Sequence, residues 1–154
     1  GLILTEQGIK VIEFNARFGD PETQVVLPRL VTPLSELLLA AASGNLEDQP
    51  LPEFSSKAAV TVVLASEGYP TNPISGRETT GLELDAATPN VHIAHAATAA
   101  DGSALLATGG RVLNVVGLGN DFAEARTSAY TALAKIELEG AQYRKDIAAR
   151  VVSE

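Results

Sequence analysis

The sequence predicts an α+β fold: a β-hairpin followed by helices, then a small, mainly antiparallel β domain with a C-terminal helix. Three observations carry that prediction. Apolar stretches of strand length are broken by short glycine turns at 6–8, 101–102 and 109–110, the spacing of antiparallel pairs rather than of crossover helices. Leucines recur at helical spacing between Pro33 and Gly44. Between them, residues 45–57 carry two prolines, two serines and several acids with no periodicity, as a linker does. The expected division is therefore 1–44, a linker at 45–57, and a second unit over 58–154.

Residues 1–5 read as a strand, Glu6-Gln7-Gly8 as a turn, and residues 9–15 as the returning strand. Asp20-Pro21-Glu22 is a helix start, with Asp20 able to cap free N–H groups and Pro21 suited to the first helical position. Pro28 should bend or end that helix. Thr32-Pro33 restarts a second helix through Leu34, Leu37, Leu38 and Ala41, with its leucines in the core and Gly44 as its stop.

Residues 58–66 form a β-branched run consistent with a buried strand, and 67–81 read as a long surface loop. Strands follow at 91–98, 104–108 and 111–117, joined as a meander by turns at Asp101-Gly102 and Gly109-Gly110. Asp121 and Glu124 have capping-box spacing for a helix through Tyr130, Leu133 and Ile136, closed by Gly140.

The formal net charge of −8, with 11 basic residues thinly spread, leaves no electrostatic footprint for nucleic acid or an anionic membrane. Any bound phosphate must be met by a metal or by backbone. No cysteine is present, which excludes a disulfide scaffold, a thiolate nucleophile and cysteine-held zinc, and is compatible with a cytoplasmic location. No apolar run approaches the ~20 residues of a membrane span. The absence of methionine and a start directly on Gly1-Leu2-Ile3-Leu4 suggest a piece of a longer protein.

The candidate chemistry concentrates in residues 11–24. If 11–15 is a strand, alternation points Glu13 and Asn15 to one face. A carboxylate and an amide oxygen so placed suit Mg²⁺, which keeps other positions for water and substrate phosphates; a solvated edge strand explains the same spacing. Arg17, beside a glycine at the strand's end, is placed to hold a carboxylate or phosphate. Asp20 and Glu22 are equally explained as helix-start residues. His92 and His95, three apart on an expected strand, fall on opposite faces and so do not share a metal. No nucleophile motif supports Ser-His-Asp catalysis, and Gly109-Gly110 reads as a turn, not a phosphate loop.

The run Arg17-Phe18-Gly19-Asp20-Pro21-Glu22-Thr23-Gln24 resembles the signature of phosphoribosylamine-glycine ligases, the glycinamide ribonucleotide synthetases. Ile12-Glu13-Phe14-Asn15 resembles the Glu-x-Asn metal strand of ATP-grasp ligases generally. The resemblance extends to Glu67-Gly68-Tyr69-Pro70, Asp101-Gly102, Gly109-Gly110-Arg111-Val112-Leu113-Asn114-Val115 and Tyr143-Arg144-Lys145-Asp146-Ile147, and so covers nearly the whole chain. One departure is Ala148, where the family usually has glycine; the loop at 71–80 is also less typical.

The resemblance implies that 1–44 ends an ATP-grasp domain and 58–154 is the ligase's C-terminal accessory domain. It implies an enzyme joining glycine to 5-phosphoribosylamine with ATP, through a glycyl phosphate, to give glycinamide ribonucleotide, ADP and phosphate. Glu13 and Asn15 would hold Mg²⁺ or Mn²⁺, Arg17 would contact substrate or phosphate, and Asp20 and Glu22 would recognise an amine or a ribose hydroxyl. The nucleotide-binding half would lie in a missing N-terminal part, leaving this fragment inactive alone. A non-catalytic packing module, or another ATP-grasp ligase or carboxylase, would also accommodate the Glu-x-Asn strand.

Overall fold

The computed structural model describes residues 1–83 and 88–153; residues 84–87 and 154 of the expected second unit lie outside the described residues. Strands β1 (Leu2–Thr5) and β2 (Gly8–Val11) pair antiparallel from Leu2 opposite Val11 to Thr5 opposite Gly8. Gly8 turns the corner at φ 94°, a conformation that favours glycine. The second strand is shorter than expected. It stops at Val11, and residues 12–16 have no regular structure; beyond the ladder the Ile12 amide donates to the Gly1 carbonyl at 2.8 Å and the Gly1 amino group to the Glu13 carbonyl at 2.7 Å. Pleating therefore does not set the facing of Glu13 and Asn15.

Helix α1 (Thr23–Val26) runs into a 3₁₀ turn over Leu27–Arg29, and α2 (Leu34–Ala42) follows Pro33. The first helix begins later than the Asp20-Pro21 reading predicts: Glu22 occupies the N-cap position without a side-chain cap, because Asp20 is held elsewhere by Arg111 and Gln24. Pro28 ends α1 and Gly44, at φ 74°, follows α2, both as expected. The α2 leucines are not core residues as a set. Leu34 and Leu37 are half-buried, but Leu38 and Leu39 are 53% and 68% exposed: α2 packs on the Leu46–Asp48 turn, and among the described residues these two leucines stay open to solvent. The expected linker then runs beside 29–32: the Val31 amide donates to the Glu53 carbonyl (2.9 Å) and the Ser55 amide to that of Arg29 (2.7 Å).

The remaining elements are β3 (Ala58–Ala65), β4 (Thr79–Thr80), β5 (Val91–His95), β6 (Thr98–Asp101), β7 (Ala104–Ala107), β8 (Arg111–Gly119), α3 (Phe122–Leu133), β9 (Glu137–Leu138) and α4 (Ala149–Val152). Strand β8 is the centre of a three-stranded sheet, antiparallel to β3 on one side and β5 on the other. The pairing is antiparallel as expected, but the order is not a meander. Strands β6 and β7 make their own hairpin around Asp101-Gly102, so Gly109-Gly110 links β7 to a strand it does not pair with.

Helix α3 covers one face of this sheet. Val60, Val62 and Leu64 of β3, Leu113 and Val115 of β8, and Ala125, Ala129 and Leu133 of α3 form the buried core. Gly117 lets the helix come close: a Cβ there would lie 2.1 Å from the Ala125 carbonyl oxygen, so only glycine fits. Asp121 caps α3 by accepting from the Glu124 amide (2.8 Å), while Glu124 reaches back to the amide of Asn120, one residue earlier than an ideal capping box. The helix ends at Leu133. Ile136 lies beyond it in the turn to β9, and Gly140, expected as the helix stop, takes φ 68° after β9.

The opposite face of the sheet carries Thr61, Val63 and Asn114 by alternation and receives α1 and the 27–29 turn. The long loop at 67–81 is pinned by hydrogen bonds: Gly76 donates to Ala107 (2.7 Å), Ala107 to Arg77 (2.8 Å), and Arg77 pairs with Glu67 at 2.6 Å.

Candidate functional site

The signature residues occupy the turn between β2 and α1, and the structure gives each a different setting. Glu13 and Asn15 lie exposed in the irregular segment, and among the described residues neither side chain makes a hydrogen bond. Their donor chemistry fits a hard divalent cation: two oxygen ligands without competing partners, leaving most of an octahedral shell for water and phosphate oxygens. They are two donors only. Among the described residues no cluster of three or more Asp, Glu, His or Cys is assembled to complete a site.

Arg17 is exposed and donates to its neighbour's carbonyl, Phe18 O, at 2.8 Å. Glu22 is exposed and folds back over Gly19, where a Cβ would sit 2.5 Å from its Oε2. Gly19 thus makes room for a carboxylate against backbone. Asp20 faces the β domain. Its Oδ2 lies 3.2 Å from Arg111 Nη2, its carbonyl accepts from Arg111 Nη1 at 3.2 Å, and its Oδ1 accepts from Gln24 Nε2 at 3.2 Å. The structure therefore groups Arg17, Asp20 and Glu22 in one turn, with Asp20 committed to protein partners rather than to a helix cap.

Beside Arg111 opens a cleft of about 450 Å³ lined by Val63, Ala65, Tyr69, Gln142, Tyr143 and Arg144. Gln142 closes one end: its backbone exchanges hydrogen bonds with Ala65 at 2.9 and 2.8 Å, and its Nε2 donates to Tyr69 O at 2.7 Å. Arg144 is taken up by Asp146, which it meets through two nitrogens at 2.9 and 2.6 Å. That pairing lowers the Asp146 pKa below its ordinary 3.8, the Arg144 hydrogen bond being the largest cause. Arg126 lies over the Tyr130 ring at 4.7 Å and donates to the carbonyls of Lys145 and Ile147, which fixes the basic tail to α3.

Arg111 and Gln24 have no role in the sequence reading. Arg111 stands in the Gly-Gly-Arg run, yet its partner is 91 positions away, and no local pattern marks such a pair. His92 and His95 sit on the edge strand β5, both exposed, with His95 Nδ1 3.1 Å from Thr98 Oγ1.

Taken together, fold and turn define an α+β protein of antiparallel sheets with a C-terminal helix, its sheet held to a short polar turn. The family described as phosphoribosylglycinamide synthetase, C domain, matches residues 59–150. The chain belongs to that family. It is 66% identical to a phosphoribosylamine–glycine ligase of Leifsonia xyli over 97% of its own length and 36% of the relative's. It is 55% identical to the Streptomyces coelicolor protein of the same name, over the same shares. The crystal structure of phosphoribosylamine–glycine ligase from Thermotoga maritima superposes with a TM-score of 0.77 at 34% identity, covering 95% of this chain and 35% of that one. The chain thus spans about a third of the length of the relatives it matches.

Proposed function

We propose that this chain is the C-terminal part of an ATP-dependent ligase that joins glycine to 5-phosphoribosylamine, giving glycinamide ribonucleotide, ADP and phosphate. The observation that carries the reading is the unbroken run Arg17 to Gln24 in a chain whose relatives bear that ligase's name across nearly its whole length. Residues 1–44 are the end of the ATP-grasp domain, 45–57 the linker and 58–154 the accessory domain. The remaining part of the enzyme supplies the nucleotide-binding residues, so the 154-residue chain is inactive by itself. The enzyme works in the cytoplasm. Among the described residues no helix is long and apolar enough to cross a membrane.

In this reading Glu13 and Asn15 hold Mg²⁺ or Mn²⁺ against the triphosphate of ATP. A cation held there would supply charge neutralisation for phosphoryl transfer. Glycine's carboxylate is already ionised at neutral pH, so neither Glu13 nor Asn15 acts as a general base. Arg17, once released from the Phe18 carbonyl, offers a guanidinium to the glycine carboxylate or the transferring phosphoryl group. Glu22, exposed over Gly19, accepts from an amine or ribose hydroxyl. Catalysis by these residues is positioning and electrostatic stabilisation.

The test uses the full-length enzyme with MgATP, glycine and 5-phosphoribosylamine. Wild type forms glycinamide ribonucleotide; Glu13→Ala and Asn15→Ala lose Mg²⁺-dependent turnover while keeping the wild-type melting temperature. Near-normal turnover in either variant removes the metal role.

A further inference from the structure

We propose that Arg111 is a positioning residue for the ligase site: it acts from the accessory domain, through Asp20, to hold the Gly19–Glu22 turn in its working orientation. The inference rests on the ligase reading and extends it to a residue outside the signature. Its basis is the way Arg111 is held at one end and what it grips at the other.

The backbone around Arg111 is fixed on several sides. It opens the central strand β8 opposite Ala65, at the register shift between Leu64 and Ala65. The Ala97 amide donates to the Arg111 carbonyl at 3.0 Å, and Ser66 holds the two preceding residues, its amide on Gly110 O at 2.8 Å and its hydroxyl on Gly109 O at 2.7 Å. Tyr69 packs against Gly110, where a Cβ would come within 2.3 Å of its ring. The guanidinium therefore projects from a rigid base.

At its other end Arg111 makes two contacts with one residue, Nη1 on the Asp20 carbonyl and Nη2 on the Asp20 carboxylate, both at 3.2 Å. Gripping backbone and side chain together sets the orientation of the turn as well as its distance. Gln24 takes the second carboxylate oxygen at 3.2 Å, so Asp20 is held from both sides. Lysine has the charge but not the planar fork that reaches two acceptors. Asp20 stands between Arg17 and Glu22, so rotation of this residue moves both.

Magnitudes separate this role from a stabilising one. The side chains are 41% and 34% exposed, and ion pairs so open to water contribute little to folding. Misplacing a substrate-holding group by an ångström costs on the order of 10²-fold in rate. Activity should therefore fall far more than stability.

The experiment measures kcat, KM for each substrate and melting temperature in the full-length enzyme carrying Arg111→Ala, Arg111→Lys, Asp20→Asn, and the Arg111→Ala/Asp20→Asn double variant. Arg111→Ala is expected to lose on the order of 10²-fold in kcat/KM with little change in melting temperature. Arg111→Lys should recover part of that loss, and the double variant should be no worse than Arg111→Ala alone, since that substitution already removes both contacts to Asp20. Arg111→Lys also decides the case if the alanine variant does not fold: full wild-type kinetics in the lysine variant overturn the positioning role. So does Arg111→Ala within about twofold of an active wild type, or losses that multiply in the double variant. A wild type without ligase activity overturns the ligase reading, and this proposal with it.

Discussion

The two faces of the molecule's central strand meet very different neighbours. On one, β8 presents Leu113, Val115 and Gly117 to α3, and the contact is apolar and close enough to require glycine. On the other, Asn114 of β8 and Thr61 of β3 set polar groups among buried Val112 and Val116, and the neighbours are the segment of α1 and the 27–29 turn, with Arg111 reaching across to Asp20. The same contrast divides the chain. Residues 58–153 contain nearly all of the buried core, whereas Ala40 is the one buried residue among 1–57. Leu2, Leu4, Ile9 and Phe14 stand 69%, 80%, 69% and 93% exposed. The β domain closes its own core; the N-terminal segment is a wall whose apolar side, in the ligase reading, is covered by the rest of the enzyme.

Core truncation breaks this contrast most sharply if it is wrong. Leu113→Ala, at a fully buried site, should cost about 2–5 kcal/mol in chemical denaturation. Leu39→Ala, on the exposed side of α2, should stay within about 0.5 kcal/mol. Equal losses would mean that α2 belongs to the same core. Gly117→Ala comes next: a methyl forced against helix backbone should cost about 1–3 kcal/mol and lower the melting temperature, while Gly44→Ala, with open space around it, should show only the cost of its positive φ.

A smaller effect has the opposite sign. Ala148 stands at φ 57°, in the left-handed region, where an L-residue costs roughly 1–2 kcal/mol that glycine avoids. That conformation gives a physical reason for the glycine usual in the family. Ala148→Gly should raise stability by about 1 kcal/mol, less whatever the lost methyl contributes at its half-buried position.

The smallest effect is on pH dependence. Because the Asp146 pKa is depressed when folded, its contribution is present above the unfolded value near 3.8 and lost as pH falls through the lower folded pKa. Asp146→Asn should lower stability slightly at neutral pH and converge with wild type below the folded pKa, which flattens the acid limb; a large loss at neutral pH would contradict the exposed pairing with Arg144.

Features held by neighbours in sequence were legible. Asp121 with Glu124, Gly8 and Asp101-Gly102 each act within a few residues, so spacing reveals them. What depends on distant partners was not. The sequence expects the returning strand to run to Asn15, four residues past the Val11 at which β2 stops, because apolar alternation alone does not mark where pairing ends. For Asp20 the sequence leaves a helix cap and a substrate contact open and shows nothing of its ion pair, because the guanidinium that holds it is 91 residues away. The α2 leucines show helical spacing, but spacing does not say which side will be covered. For Glu13, Asn15 and Arg17 the sequence offers donor chemistry without geometry: among the described residues no group of three or more His, Cys, Asp or Glu stands together.

The division into a self-sufficient β domain and a wall awaiting its cover is tested most directly by amide hydrogen exchange on this 154-residue chain and on the full-length enzyme. The amides of β8 should be strongly protected in both. Those of β1 and β2 should exchange rapidly in the chain alone and become protected in the intact enzyme. A hairpin as protected as β8 in the isolated chain, or unprotected in both proteins, would contradict the account.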